Sequence, residues 1–406
     1  MTSRRTFLTG GLAAVSLQAA GKTYTWTEVD RLLARGDVKG KLSKDDLPTP
    51  ALILDLDAFE GNVKHMLGYV KGKGRAIRPH GKTHKCPEIA NYLIRNGASG
   101  ACSAKLSEAE AFAAGGVTGL LITTAVVGTH KIERAIALAK KRPETMFCVD
   151  NAQNVKDLNE AAGAAKLKLN VAIDLYVGNR TGILTGDPAI GLAEVIQGMP
   201  HLKLAGLQAY AGQASHVMGF DARRAKSIEA MTPAVETRRA LEKKGIACPL
   251  LTGGSTGTYN IDTDIDGITE MQPGSFMFMD IDYNRIGGKS SGEVYTDFKN
   301  ALFVRTTVVS KPKDDTAIVD GGLKAFSTDK PYPPQWNGGA DLVYAFAGDE
   351  HGRISMKGGK QVNVGDRLEF IIPHCDPSVN LYDQLFAVRG DQVEAVWKIA
   401  GRGRSQ

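Results

Sequence analysis

The chain has 406 residues, of which 43% are hydrophobic and 23% are charged, which is typical of a globular protein with room for two domains. The net charge is +6, but no long basic run occurs, so charge gives little support for nucleic-acid binding. The five cysteines form no CxxC pair, which argues against a disulfide framework and against a cysteine-ligated zinc site.

The first 21 residues predict an export signal. Residues 3–8 read SRRTFL, a twin-arginine pattern, and the uncharged stretch that follows is too short to span a bilayer. The alternative is a fortuitous arginine pair before an apolar helix. Because the twin-arginine route carries folded proteins, the signal would suit a bacterial enzyme that acquires its cofactor before export. It predicts a periplasmic protein, or a cytoplasmic one if the signal is not used.

The main part of the chain begins with a predicted strand, after which predicted helices and strands alternate. Residues 51–57 (ALILDLD) predict a strand, and Asp57 is expected to cap a helix that ends near Gly72. The next predicted strands are residues 75–79, 100–104, 119–123, 145–149, 168–175, 203–209, 249–252 and 267–271. The predicted helices between them are residues 107–114, 130–141, 151–165, 188–197 and 220–244. Strands that alternate with helices indicate a parallel sheet.

This alternation predicts an α/β fold, a (β/α)8 TIM-like barrel over residues 48–285. An open doubly wound sheet is the alternative, but no GxGxxG motif supports dinucleotide binding. After residue 279 the strand patterns lack long helices between them. They occur at residues 303–311, 316–320, 342–347, 367–372, 384–388 and 393–399. They predict a second, mostly β C-terminal domain over residues 286–406, with a contribution from residues 22–57.

Residues 75–85 (RAIRPHGKTHK) run from a buried strand into a cluster of cations. Four of them alternate along the chain and would share one side of an extended backbone: Arg78, His80, Lys82 and His84. A lysine among other cations has a reason to lose its proton, and it is then a candidate amine nucleophile. A solvated basic loop, or a patch that binds phosphate or nucleic acid, is the alternative. These residues alone do not separate Lys82 from Lys85.

In such a barrel the active site lies at the carboxyl ends of the strands. Lys82 follows the first strand, Arg180 the fifth and Tyr210 the sixth. The seventh is followed by a glycine-rich loop whose backbone N–H groups could hold an anion, although such a loop is often only a turn. Its residues are Gly253, Gly254, Ser255 and Thr256.

A lysine opposite an anion cradle suggests pyridoxal phosphate. Lys82 would form a Schiff base with it, and the loop would hold its 5′-phosphate. Arg180, which is always protonated, would donate to the pyridine nitrogen and leave that nitrogen unprotonated. The ring would then be a weaker electron sink, so bond cleavage would need help from another group.

Residues 373–377 (PHCDP) are a candidate source of that help. His374 and Asp376 lie two apart, so on an extended backbone they would point the same way and Cys375 would point away. An imidazole with a carboxylate suits Mn²⁺, Mg²⁺ or Zn²⁺. The alternative is a His–Asp hydrogen bond or an ordinary turn before a proline.

Five motifs in this order resemble those of D-threonine aldolases and of the related D-3-hydroxyaspartate aldolases and eukaryotic-type D-serine dehydratases. They are RPHGKTHK, VGNRTG, QAYAG, GGST and PHCDPSVNLYD. The resemblance implies the alanine-racemase-like pyridoxal-phosphate barrel, with Lys82 rather than Lys85 bound to the cofactor and His80 beside it. It also implies that Arg180 meets the pyridine nitrogen and that Tyr210 and the residue 253–256 loop contact the phosphate.

The same resemblance implies a metal site formed by His374 and Asp376, with Mn²⁺ as the first choice. The dehydratases typically have His-x-Cys there, so Asp376 favours an aldolase. The expected reaction is retro-aldol cleavage of D-threonine or a related D-β-hydroxy-α-amino acid, with His374 or a metal-bound hydroxide as the base. Alternatives are β-elimination from D-serine or D-threonine, and a non-catalytic pyridoxal-phosphate carrier. A small-molecule substrate, a homodimer and no membrane span are expected. His216 is interpreted as an ordinary histidine.

Overall fold

The computed structural model describes residues 24–406. The predicted export signal lies outside the described residues. Within them, no helix is both long and apolar enough to cross a membrane.

The strands and helices are numbered in chain order. The strands are β1 (Ala51–Asp55), β2 (Ala76–Ile77), β3 (Ala101–Ser103), β4 (Leu120–Ile122), β5 (Met146–Val149), β6 (Leu169–Leu175), β7 (Leu202–Ala209), β8 (Leu250–Gly253), β9 (Glu270–Met271), β10 (Leu302–Lys313), β11 (Thr316–Val319), β12 (Gln335–Trp336), β13 (Leu342–Phe346), β14 (Gly352–Met356), β15 (Arg367–Ile371), β16 (Gln384–Arg389) and β17 (Gln392–Lys398). The helices are α1 (Trp26–Arg35), α2 (Leu56–Gly72), α3 (Pro87–Arg95), α4 (Leu106–Ala114), α5 (Thr129–Lys141), α6 (Ala152–Ala164), α7 (Asp187–Gln197), α8 (Phe220–Lys243), α9 (Tyr259–Asp262), α10 (Ile281–Asn284) and α11 (Cys375–Val379).

Eight parallel strands form a closed barrel. Their order is β2-β9-β8-β7-β6-β5-β4-β3, and a parallel bridge between His80 and Cys102 joins the two ends of this row. The strands are buried runs such as Leu120–Ile122, and the helices between them bury one apolar face each. The predicted (β/α)8 barrel is therefore confirmed, and the open-sheet alternative is wrong.

Two local predictions in this part of the chain differ from the structure. Asp55, not Asp57, caps α2, because β1 ends two residues earlier than expected and the Asp55 carboxylate accepts the Ala58 N–H at 3.0 Å. Asp57 instead pairs with Arg389. The predictions also lack α3, although Pro87 at its first turn is a typical helix start.

The second sheet has nine strands, and the predicted mostly β second domain is confirmed. β1 lies in the interior of this sheet, where it pairs antiparallel with β10 and parallel with β16. The first strand of the described chain thus lies in the sheet built from the end of the chain. The sequence patterns missed β12 and β14; β12 is only two residues long, and β14 alternates buried and more exposed side chains.

A buried carboxylate fixes the second domain to the barrel near the candidate site. Asp280, which is fully buried, accepts the N–H of Tyr283 at 2.9 Å and the N–H of Cys375 at 2.8 Å. The N–H of Ile281 also donates to the Ile372 carbonyl at 3.1 Å. These bonds hold the start of α11 against α10, at the end of the barrel where the strands finish.

Candidate active site

Lys82 lies in a tight turn after the first barrel strand. The backbone leaves the extended conformation at His80, and residues Gly81–Thr83 form one 3₁₀ turn. A Cβ on Gly81 would collide with the Phe112 ring, so the turn depends on this glycine. The Lys82 side chain is 41% exposed, and its Nζ lies 3.5 Å from the Asp376 Oδ1.

The cation cluster does not share one face, because the 3₁₀ turn breaks the alternation. Arg78 points into the barrel and binds Glu270 through two nitrogens, each 3.0 Å from a carboxylate oxygen. His84 is fully buried and stacked on Phe112 at 5.6 Å, and burial lowers its pKa to about 3. The expectation that neighbouring cations deprotonate Lys82 is also wrong here, since the charge of Asp376 raises the pKa of Lys82.

Lys85 and His80 support the Lys82 turn. Lys85 Nζ lies 2.7 Å from the buried carboxylate of Glu108, which gives Lys85 a structural role. His80 Nδ1 accepts the Lys82 N–H at 3.3 Å. Burial, and then the charges of Lys82 and Arg180, lower the pKa of His80 well below its usual value. The ring is therefore neutral, and its remaining proton lies on Nε2, which is 3.3 Å from the Thr123 hydroxyl oxygen.

Tyr210 and Arg180 lie together with Lys82. The Tyr210 ring centroid is 5.9 Å from Lys82 Nζ and 5.3 Å from Arg180 Cζ. Arg180 Nη2 is 3.9 Å from the Asp174 carboxylate, which is at the end of β6. Side chains that follow three different barrel strands thus meet at one end of the barrel.

The glycine-rich loop lies beside Tyr210, because Gly253 of β8 pairs with Ala209 of β7. Gly254 has φ +77°, and a Cβ there would lie 2.9 Å from the Asp262 carboxylate, so the position needs glycine. The Ser255 hydroxyl is 3.0 Å from that of Thr258. Within residues 24–406, no acceptor engages the N–H groups of Gly254 and Thr256. Two free amides in a tight loop fit a phosphate group.

The second-domain residues reach the same place by a different backbone path than expected. His374 is the residue before α11, and Asp376 lies in the first turn of that helix rather than on an extended strand. Their facing atoms, His374 Nε2 and Asp376 Oδ2, are 3.9 Å apart. Cys375 is fully buried. Burial alone would raise the pKa of Asp376, but the charges of Lys82 and His374 outweigh it and lower the pKa.

The His374–Asp376 pair fits half of a metal site. Two ligands that each bind at about 2.1 Å can be up to roughly 4.2 Å apart, and the pair lies within that span. His374 Nδ1 is 2.7 Å from the Asp329 carboxylate, which leaves Nε2 free to face Asp376. No group of three or more histidine, cysteine or acidic side chains in the described part of the chain could hold a metal by itself. Water or substrate would have to complete the coordination.

Two family models match the chain. The alanine racemase N-terminal domain matches residues 54–282, and a putative serine dehydratase domain matches residues 301–388. The chain belongs to the alanine racemase-like family. The resemblance found in the motifs is thereby confirmed, together with the fold class that carries pyridoxal phosphate.

Several aldolases are similar to this chain along nearly its whole length. The 3-hydroxy-D-aspartate aldolase of Paracoccus denitrificans (strain Pd 1222) is 37% identical over 89% of this chain and 94% of its own. The D-threonine aldolase of Arthrobacter sp is 38% identical over 88% and 93%. The crystal structure of D-threonine aldolase from Filomicrobium marinum superposes with a TM-score of 0.86 at 35% identity, covering 91% of this chain and 99% of that one.

A dehydratase has the same fold. The D-threo-3-hydroxyaspartate dehydratase from Delftia sp. HT23 superposes with a TM-score of 0.78 at 25% identity, over 88% of this chain and 98% of that one. The aldolases are more similar to this chain, which supports its assignment to the carbon–carbon lyases of the aldehyde-lyase class.

The structure adds site residues that the sequence did not predict. Asp329, which orients His374, lies in an irregular loop 45 residues away in the chain, so no spacing pattern connects the two. His216, interpreted as ordinary, lies 3.0 Å from the Asp282 carboxylate, and its ring centroid is 4.3 Å from that of Tyr283. Asp282 is also bound by Lys330 at 2.7 Å. These contacts join the segment after Tyr210 to the start of α10, where Asp280 binds the Cys375 N–H.

Proposed function

We propose that this enzyme cleaves D-threonine, or a related D-β-hydroxy-α-amino acid, into glycine and an aldehyde, with pyridoxal phosphate and a divalent metal. The observation that carries the proposal is the meeting of Lys82 and the candidate metal pair. Lys82 Nζ is 3.5 Å from Asp376, which is 3.9 Å from His374. An amine that can bind the cofactor and a site that can bind a β-hydroxyl through a metal are then adjacent.

The residues around Lys82 would hold the cofactor. Lys82 would bind its aldehyde carbon, Arg180 would face its ring nitrogen, and Tyr210 with the free amides of the residue 253–256 loop would bind its phosphate. His80 would keep Lys82 in place through its hydrogen bond to the Lys82 N–H. When bound, pyridoxal phosphate supplies a ring that accepts the electron pair of the broken Cα–Cβ bond.

His374 and Asp376 would bind the metal, most readily Mn²⁺ for this pair of ligands, with Mg²⁺ and Zn²⁺ as alternatives. A bound metal supplies a charge that lowers the pKa of a nearby hydroxyl. His374 cannot be metal ligand and base at once, because Asp329 engages Nδ1 and the metal would occupy Nε2. The bond to Asp329 supports the role of ligand, since it directs the free Nε2 towards Asp376.

The product distinguishes this reaction from β-elimination. Enzyme loaded with pyridoxal phosphate and Mn²⁺ is incubated with D-threonine, and glycine, acetaldehyde and 2-oxobutanoate are measured. We expect glycine and acetaldehyde in equal amounts. The proposal is wrong if 2-oxobutanoate forms without glycine. Lys82→Ala should abolish turnover, whereas Lys131→Ala, which changes an exposed lysine on α5, should not.

We also propose that the enzyme is an exported homodimer. Three large apolar side chains near the Arg180 loop are exposed, Tyr176 by 44%, Leu184 by 61% and Met218 by 59%, which supports a covering subunit. Light scattering should give twice the chain mass of 43.4 kDa.

Arg4→Lys with Arg5→Lys should retain the protein in the cytoplasm if residues 1–21 direct twin-arginine export.

A further inference from the structure

We propose that Asp174 is a positioning residue that fixes the orientation of Arg180 and thereby tunes the bound cofactor. The inference rests on the proposed function, in which Arg180 faces the pyridine nitrogen. Asp174 is 2% exposed and is the next-to-last residue of β6. Its Oδ2 is 3.9 Å from Arg180 Nη2 and accepts the Thr181 hydroxyl at 2.7 Å.

Arg180 needs such a partner because its own backbone is irregular. It lies in the loop between β6 and α7, and its side chain is 38% exposed. The Tyr210 ring, 5.3 Å from Arg180 Cζ, limits movement of the guanidinium in one direction only. Asp174 adds an attraction from the barrel interior, and together the two contacts define one orientation. Asp150 restrains the same loop, since it accepts the Gly182 N–H at 3.2 Å.

The hydrogen bonds around Asp174 fit an ionised carboxylate. Gln208 Nε2 donates to the Thr123 carbonyl at 3.1 Å, and a carbonyl can only accept, so the amide orientation of Gln208 is fixed. The same Nε2 lies 2.8 Å from Asp174 Oδ1, which must therefore accept. The Thr181 hydroxyl can donate to Oδ2, so both oxygens can act as acceptors of an ionised Asp174, whose charge would be opposite to that of Arg180.

This carboxylate is anchored through the barrel interior. The Gln208 Oε1 accepts from Gln272 Nε2 at 3.4 Å, and Gln272 also donates to the Thr252 hydroxyl at 2.9 Å. Thr252 donates to Glu270 at 2.9 Å. Glu270 is the partner of Arg78, so a continuous line of side chains connects the two arginines. The Asp174–Arg180 pair at 3.9 Å adds little net stability, but the bonds to Gln208 and Thr181 fix where the Asp174 carboxylate lies. The line therefore serves to hold Arg180 in place.

The cofactor's visible absorbance and its pH titration test the role without relying on activity. Three variants are loaded with pyridoxal phosphate: Asp174→Asn, Arg180→Gln and Asp320→Asn. Asp320 is a matched control, because its carboxylate also accepts a threonine hydroxyl but lies in the second sheet domain. We expect Asp174→Asn to shift the absorbance maximum and the titration midpoint in the same direction as Arg180→Gln. We also expect it to weaken cofactor binding by about two- to fivefold, as for loss of a partly exposed ion pair. Asp320→Asn should match the wild-type enzyme.

A folded Asp174→Asn variant with wild-type absorbance and midpoint overturns the inference, provided that Arg180→Gln shifts both. If Arg180→Gln itself changes neither while the cofactor is bound, the proposed placement of Arg180 is wrong instead. Should Asp174→Asn not fold, Thr181→Val carries the test, because it removes one bond to the carboxylate and leaves the charge. A smaller shift in the same direction is expected there, and an unchanged spectrum overturns the inference.

Discussion

Asp329 should control metal affinity without touching the metal. A neutral imidazole has one N–H, and the 2.7 Å contact with Asp329 fixes that proton on Nδ1 of His374. Asp329→Asn replaces a charge-assisted hydrogen bond by a neutral one. Since Asp329 is 43% exposed, solvent screens part of the difference, and we expect a cost of about 1 kcal/mol, or roughly fivefold in Mn²⁺ affinity. Asp329→Ala removes the bond completely and should cost about 10- to 100-fold.

Free Mn²⁺ can be measured by its electron paramagnetic resonance signal during titration of the pyridoxal-phosphate enzyme. Asp314→Asn is a suitable control, because Asp314 is an exposed acidic residue in the β10–β11 turn. The far-ultraviolet circular dichroism of all variants should be equal. The reasoning is refuted if Asp329→Ala binds Mn²⁺ within twofold of the wild-type affinity while His374→Ala abolishes binding.

Three further predictions concern stability. Burial lowers the pKa of His84 to about 3, so the contribution of this ring to the free energy of unfolding is complete above pH 6.5 and is lost as the pH falls towards 3. His84→Asn should therefore reduce the loss of stability that urea unfolding measures between pH 7 and pH 5. An unchanged loss would contradict the assignment. Gly254→Ala should lower the free energy of unfolding by about 1–3 kcal/mol, because alanine is strained at φ +77° and its Cβ meets Met271; a neutral result in chemical denaturation would show that the loop relaxes. Asp280→Asn loses one of two buried carboxylate acceptors and should lower the free energy of unfolding by about 1–3 kcal/mol. Mn²⁺ binding should also weaken, because the N–H of Cys375 then loses its hydrogen-bond acceptor. A wild-type free energy of unfolding together with wild-type Mn²⁺ affinity would count against this role.

The barrel could be predicted because its strands are buried on both faces. Runs such as residues 120–122 and 146–149 are continuously apolar and bounded by polar or glycine positions, so they stand out without an alignment. The strands β2 and β9 were each predicted three residues too long, because only two residues of each form the paired backbone. A contribution of residues 22–57 to the second domain was expected, but the pairing of β1 involves partners about 250 and 330 residues away, so no local pattern encodes its neighbours in the sheet.

The sequence predicts which residues form the site better than it predicts how they are arranged. The barrel residues could be placed in one site because each follows a predicted strand, and the strands end on the same side of the barrel. They are Lys82, Arg180, Tyr210 and the glycine-rich loop. The backbone conformation was wrong at Lys82 and Asp376, because a 3₁₀ turn and a helix replace the extended backbone that was assumed; His374 and Asp376 nevertheless face each other. Residues that act through another side chain, such as Asp174 and Asp329, carry no signal of their own, since any acidic residue in a loop or at a strand end has the same local pattern.

The requirement for metal tests the account most directly. The initial rate of glycine formation from D-threonine is measured on the pyridoxal-phosphate enzyme before chelation, after chelation and dialysis, and after Mn²⁺ is restored. The account predicts near-complete loss of glycine formation in the stripped enzyme and recovery with Mn²⁺. In His374→Ala, neither chelation nor added Mn²⁺ should change the rate of glycine formation. Full activity in a sample shown to be free of metal would contradict the role assigned to His374 and Asp376.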